Sequence, residues 1–356
     1  MFKSVLSLTL AAALGTASFG QTTLTAIPGE AAAAKYASIS QEILRAIEKG
    51  NEYLKSKQNP EGYWAQPSYP ALTALAVTAY MRDPANQGKP VPEYIRKGYD
   101  FILKSQKEDG SIFNRGMSSY NTAVCMMALL AANKEEYAPA ILKGRAYLIK
   151  QQNHFAPDNP YNGGIGYGDK QAPPIADLSN TSLALEAIYY SQKLAKDGKY
   201  GEQPDLDWNA ATEFINRCQQ NPAVNKEPWV SNDKSQLGGF VYRPGVSSAR
   251  DKKSAAFDKA EPPKAYGSMT YAGMQSLIYA NVDKNDPRVK LALKWLENSY
   301  SLDENPGMGV QGLYYYYQAM SKALSAMGID TLTLENGRKV DWRDELANKL
   351  ISIQKS

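Results

Sequence analysis

Asp177-Leu178-Ser179-Asn180-Thr181 sets one carboxylate among short hydrogen-bonding side chains, directly ahead of an apolar run that continues to Tyr190. An aspartate so placed caps a helix, accepting from backbone N–H groups that the first turn leaves without partners. Two other apolar runs open on similar residues, Ser119-Tyr120-Asn121-Thr122 and Ser268-Met269-Thr270-Tyr271. If these runs are helices gathered at one end, Asn121, Asn180, Thr181 and Tyr271 meet there as a polar rim that recognises a ligand. The same residues serve equally as caps for helix ends. Capping is the first reading and recognition a second use. Tyr314 to Tyr317 are four tyrosines in succession, so at least two must face the protein axis or a neighbour. Tyr314 and Tyr316 are the ligand-facing candidates. Such rings suit a sugar, a peptide or a cation, or simply pack in a wall.

Other chemistries lack their parts. His154 is the sole histidine and stands in a polar stretch, away from both cysteines, Cys125 and Cys218. That leaves no zinc ligand set and no base for a serine nucleophile. No helix face is rich in aspartate and no glycine-rich phosphate loop occurs, so neither a magnesium–diphosphate site nor a cofactor is expected. Both thiols are expected to be free. Lysine plus arginine (40) barely exceeds aspartate plus glutamate (36), with the signs interspersed, which argues against nucleic acid.

The elements that must position these residues repeat. From Ile95 to Ala132 the chain reads as an amphipathic helix, a turn at Asp109-Gly110, and a helix apolar on every side. The first is an outer helix and the second an inner, dry one. Similar units run from Ile43, Ile141, Trp208 and Val289, and a sixth outer helix begins at Trp342. The spacing from Gln58 to Gln106 is 48 residues and from Gln106 to Gln151 is 45, the range of stacked helical hairpins. Inner helices without a wet face favour a closed ring over an open row. The fold class is therefore all-α, an α/α toroid of about six hairpins with the sixth incomplete. Thr331–Leu334, Asn336-Gly337 and Arg338–Val340 predict a small β-hairpin with a primed turn near the C-terminus.

Gln58-x3-Gly62-x-Trp64 resembles the glutamine–tryptophan motif of the squalene–hopene cyclase and prenyltransferase repeat superfamily, with Gln106-x3-Gly110-x-Ile112 a copy lacking the tryptophan. The resemblance covers residues 41–356 and implies the toroid. The glutamine is expected to cap an outer helix while the aromatic packs on the turn. In squalene–hopene cyclases the position of Asp177 opens an acidic cluster, Asp-x-Asp-Asp-Thr, which protonates the polyene. Here Asp177 and Thr181 match, and Ser179 and Asn180 replace the two aspartates. Neither a hydroxyl nor an amide can protonate an alkene. The resemblance leaves Asp177 as the one candidate acid, without the neighbouring carboxylate that would raise its pKa.

Residues 1–20 read as a signal peptide, with basic Lys3, a short apolar run and small Ser18 and Gly20 before Gln21. Residues 21–40 read as a tether, and 41–356 as the toroid. A secreted or periplasmic protein without a membrane span is expected. Two insertions, Asn153–Ala176 and Arg243–Lys264, interrupt the repeats; the second, with Arg250-Asp-Lys-Lys253, is a solvated surface or a lid. A sixth inner helix would follow Gln354, and its absence would expose side chains worth roughly 1.5–3 kcal/mol each. A truncated gene product, a partner or the tether would explain that gap, truncation first. The expected function is a ligand- or partner-binding toroid lacking the cyclase acid cluster, with an isoprenoid or another ligand in its central cavity. The alternatives are a divergent polyisoprenoid cyclase or isomerase using Asp177, and a carbohydrate-active toroid.

Overall fold

Ile95, Gly98, Tyr99 and Ile102 recur every three or four residues, and the helix Glu93–Lys104 buries that face alone. The helix that follows has no such pattern: Asn121 to Leu130 are buried without a break. This alternation of half-wet and dry helices runs through the computed structural model, which describes residues 30–168, 175–249 and 262–355, with side chains from residue 39 onward. The expected signal segment, the start of the tether and the charge run Arg250–Lys253 lie outside the described residues.

Among the described residues there are twelve α-helices and one two-stranded sheet. The half-wet helices are α1 (Glu30–Ser56), α3 (Glu93–Lys104), α5 (Ala138–Lys150), α8 (Trp208–Asn216), α10 (Pro287–Asn298) and α12 (Trp342–Ile353). The dry ones are α2 (Pro70–Met81), α4 (Ser118–Ala131), α6 (Leu178–Tyr190), α9 (Gly267–Tyr279) and α11 (Leu313–Met327), and α7 (Gln192–Ala195) is a single turn. The dry helices pack in series, α2 on α4, α4 on α6, α6 on α9 and α9 on α11. The C-terminal α12 packs on α1, so the outer series meets its own first member. Helix α1 starts at Glu30, within the stretch expected to be a tether. None of the described helices is long and apolar enough to cross a membrane.

The repeated glutamine side chains bond their own turn and the next outer helix, where the sequence predicts a cap on the preceding helix. Gln58 Nε2 donates to Gly62 O in its own turn (2.9 Å) and to Tyr94 O at the start of α3 (2.6 Å), tying one repeat to the next. Gln106 does the same with Gly110 O (3.1 Å) and Ala140 O (2.8 Å). In the third repeat the residue in this role is Gln152, not Gln151, bonding Gly163 O (3.0 Å) and Asp207 O (2.8 Å). In the fourth it is Gln219, bonding Gly238 O (3.1 Å) and Arg288 O (2.9 Å). Gln354, after α12, donates to Ala46 O of α1 at 2.8 Å. The turn glycine is required twice over: Gly62 has φ +94°, and a Cβ there would lie 2.5 Å from Lys97 O. Trp64 is buried beside this turn and its Nε1 donates to Leu54 O at 2.7 Å.

Strands β1 (Thr331–Thr333) and β2 (Lys339–Asp341) pair antiparallel, Leu332 opposite Val340, and both of those side chains are buried. The turn is not the primed one that Asn336-Gly337 predicts. Asn336 keeps a negative φ, only Gly337 is left-handed, and Gly337 N donates to Leu334 O at 2.9 Å. The loop is longer than two residues, so the glycine follows the turn instead of sitting at its centre.

Candidate functional site

Thr181 is held by the frame. Its Oγ1 accepts from Ile165 N (2.9 Å) and donates to Ile165 O (3.1 Å) in the turn of its own repeat. Thr73, Thr122 and Thr270 accept in the same way from Trp64 N, Ile112 N and Phe240 N. Each threonine fixes the extended residue after the turn to the start of a dry helix. Asn121 is also structural: its Oδ1 accepts from Ala71 N of α2 at 3.0 Å, and its amide nitrogen donates to Met117 O at 3.0 Å. Tyr316 is buried and donates to Ser301 O at 3.0 Å, with its ring 5.6 Å from that of buried Tyr271. Tyr314 packs edge-on against Tyr317, centroids 6.0 Å apart. Tyr314, Tyr316 and Tyr317 belong to the wall of the fifth repeat and Tyr271 to that of the fourth.

Asp177 is different. It precedes α6 as its cap, accepting from Asn180 N at 2.9 Å, and its other oxygen accepts from Asn180 Nδ2 at 2.8 Å. The side chain is 2% exposed, and no described lysine or arginine pairs with it. Burial pushes its carboxyl up to about 6, against hydrogen bonds from Asn180 that hold it down. The missing second carboxylate is therefore not needed to raise this group; desolvation does so alone.

Tyrosines from three repeats surround it. Leu178 N donates to Tyr242 O at 2.8 Å, which holds that strand-like segment against the start of α6. The Tyr242 hydroxyl lies 3.4 Å from that of Tyr167, which is 39% exposed and opens the cluster to solvent. From α11, Tyr315 shares a hydrogen bond with Ser179 at 3.1 Å. Burial, and after it the charge of Asp177, raises the phenols of Tyr242 and Tyr315, and burial, then Tyr315 and Asp177, raises that of Tyr266, so all three remain neutral. Tyr120 lies within electrostatic reach of both Tyr167 and Tyr315. Asn180 Oδ1 is buried with no hydrogen-bond partner, because the amide nitrogen must face the carboxylate.

Of the residues proposed from sequence, Asp177 and Asn180 stand together in this cluster; Asn121, Thr181, Tyr271, Tyr314 and Tyr316 hold helices in place. Tyr242, Tyr167, Tyr266, Tyr315 and Tyr120 were not singled out. A signal for two of them existed. Tyr167 and Tyr242 each stand two residues beyond the residue that bridges to the repeat glutamine, Ile165 and Phe240, whereas Gln66 and Asn114 occupy that place in the first two repeats.

Two turns further along α6, Glu186 accepts from Lys322 Nζ of α11 at 2.8 Å, with side chains 5% and 18% exposed. Ser179–Tyr315 and Glu186–Lys322 thus join α6 and α11 at the same spacing on each helix, about 10.5 Å apart, so the two helices run parallel and touch. Cys125 and Cys218 are both buried and unpaired, and burial pushes both thiols up. No group of three or more metal-ligating side chains occurs among the described residues. No family model matches the chain.

Proposed function

We propose that this chain is a ligand-binding protein built on a closed α/α ring, with recognition centred on Asp177 at the end where the dry helices begin. One observation carries the reading. Asp177 is a buried carboxylate with no cationic partner among the described residues, facing neutral phenols on one side of which solvent enters. Buried charges in a frame are paired, and an unpaired one that the fold retains marks a site. The ring itself is supported by Gln354, which reaches α1 with the same amide that ties each of the first four repeats to its successor. The resemblance to the squalene–hopene cyclase and prenyltransferase repeats agrees with that arrangement. The contact between α6 and α11 narrows the space between dry helices, which favours a ligand seated at the mouth over a long polyene threaded through the middle.

A second reading, Asp177 as the acid of a polyisoprenoid cyclase or isomerase, has the raised carboxyl in its favour. Against it, both carboxylate oxygens accept hydrogen bonds from Asn180, which favours the ionised form over the acid. We also read residues 1–20 as an export signal, so that the mature protein starts at Gln21 outside the cytoplasm; N-terminal sequencing of protein from its native host tests this. The function is tested by mass spectrometry of small molecules that co-purify from that host. A bound species lost in Asp177→Asn and kept in Tyr316→Phe supports recognition at this end. A species kept in both places recognition elsewhere, and an isomerised or cyclised isoprenoid product would favour the acid.

A further inference from the structure

We propose that the tyrosine cluster around Asp177 binds a small alkylammonium cation. The proposal rests on the reading of this end as a recognition site and names its ligand chemistry.

Among the described residues the cluster contains acceptors and aromatic surface in excess and no cation paired with the carboxylate. Asp177 accepts from Asn180, which is neutral, so its negative charge is hydrogen-bonded and uncompensated among the described residues. A neutral sugar or alcohol could add a hydrogen bond there and would leave that charge as it is. A cation supplies what is missing. The Tyr242 phenol stays neutral within electrostatic reach of that carboxylate, and its ring offers a negative face to a cation. Tyr167 and Tyr315 add two further rings and hydroxyl oxygens within one hydrogen bond of Tyr242 and Ser179. Asn180 Oδ1 is a buried acceptor without a donor beside the same carboxylate. An alkylated ammonium, weakly hydrated and polarising, suits aromatic walls better than a sodium ion, which keeps its water.

The paired carboxylate on the same helix is the internal control. Glu186 has Lys322 against it and needs no ligand cation. None of the described lysines or arginines pairs with Asp177.

The experiment is isothermal titration calorimetry on the full chain, at a pH well above the carboxyl's midpoint. Choline chloride and tetramethylammonium chloride are compared with sodium chloride and with the neutral carbon isostere of choline. We expect saturable binding of both ammonium salts and about tenfold or weaker binding of the isostere. Asp177→Asn is expected to lose about tenfold in choline affinity, with an unfolding midpoint no lower than that of the parent chain. Should that variant misfold, Tyr315→Leu removes one ring only and is expected to weaken choline several-fold. Equal binding of choline and its isostere, or no heat with either ammonium salt, overturns the cation. If a ligand from the native host still depends on Asp177 in that event, the recognition site stands and only its chemistry is wrong. If that dependence is also absent, both readings fall.

Discussion

Asp177 and Glu186 are carboxylates of the same segment, one capping α6 and the other two turns on, and both are buried. Glu186 meets Lys322 of α11, and the pair closes on itself. Asp177 meets Asn180, Tyr242 and, through Ser179, Tyr315 of the same α11, and its charge stays unanswered. One pair of helices therefore carries a completed electrostatic contact at one level and an open one at another. Among the described residues a lysine stands at one position and none at the other, and the difference separates what holds the helices from what waits for something else.

The comparison breaks most visibly at Glu186. Lys322→Met leaves Glu186 buried and unpaired, and we expect a loss of about 3 kcal/mol in urea unfolding. Glu186→Gln combined with Lys322→Met should recover most of that loss, since both charges are then gone. A single Lys322→Met variant as stable as the parent would mean that Glu186 is solvated, and the contrast with Asp177 would lose its basis.

Asp177→Asn should act in the opposite direction. The folded chain holds the Asp177 proton more tightly than an unfolded chain does, about 6 against an ordinary 3.8. The contribution of this group to stability is complete below the unfolded value and is lost as pH rises through about 6, so at neutral pH the charged form costs about 3 kcal/mol. Asparagine removes that cost while still accepting from Asn180 N. We expect a gain of about 1–3 kcal/mol at neutral pH that shrinks towards pH 4 in parallel urea titrations. A loss at neutral pH would show that the carboxylate is structural after all.

Much of the frame was legible in the sequence, and the reason is periodicity. Ile95, Tyr99 and Ile102 mark a half-wet helix, and the unbroken apolar run after Ala123 marks a dry one, because burial on one side or on all sides leaves different patterns. Asp177 was legible as a cap. Its tyrosine neighbours were not, because Tyr242 and Tyr315 lie 65 and 138 residues further along the chain and reach it only through the packing of α6 on α9 and of α9 on α11. The run Tyr314–Tyr317 drew attention to alternate members, whereas the helix turns Tyr315 towards Ser179 and buries Tyr316 in the wall. The glutamine's second bond was also invisible, since its acceptor, Tyr94 O, belongs to the next repeat.

Polar residues two apart on α6 separate frame from site more finely. Thr181→Val removes the acceptor of Ile165 N and leaves a buried N–H without a partner, for a loss of about 1–3 kcal/mol. Ser179→Ala breaks only the contact with Tyr315 in a partly exposed place, and less than about 0.5 kcal/mol is expected. Equal effects in thermal unfolding would blur the distinction between repeated staples and the unrepeated cluster.

A small effect at the last repeat tests the ring. Gln354→Ala removes a single partly exposed hydrogen bond and should cost about 1 kcal/mol. Its location matters more than its size. In an open row of hairpins, Gln354 lies at a free end, and its loss would speed amide exchange in α12 alone. In a closed ring the same bond joins last to first, so exchange should quicken together in α12 and in the part of α1 around Ala46, which are 308 residues apart in sequence. Gln106→Ala provides the reference, because its two bonds join neighbouring repeats and its effect should remain in the segment between α3 and α5. Exchange that quickens at one end only would open the ring, and with it the argument that Gln354 continues the series begun by Gln58.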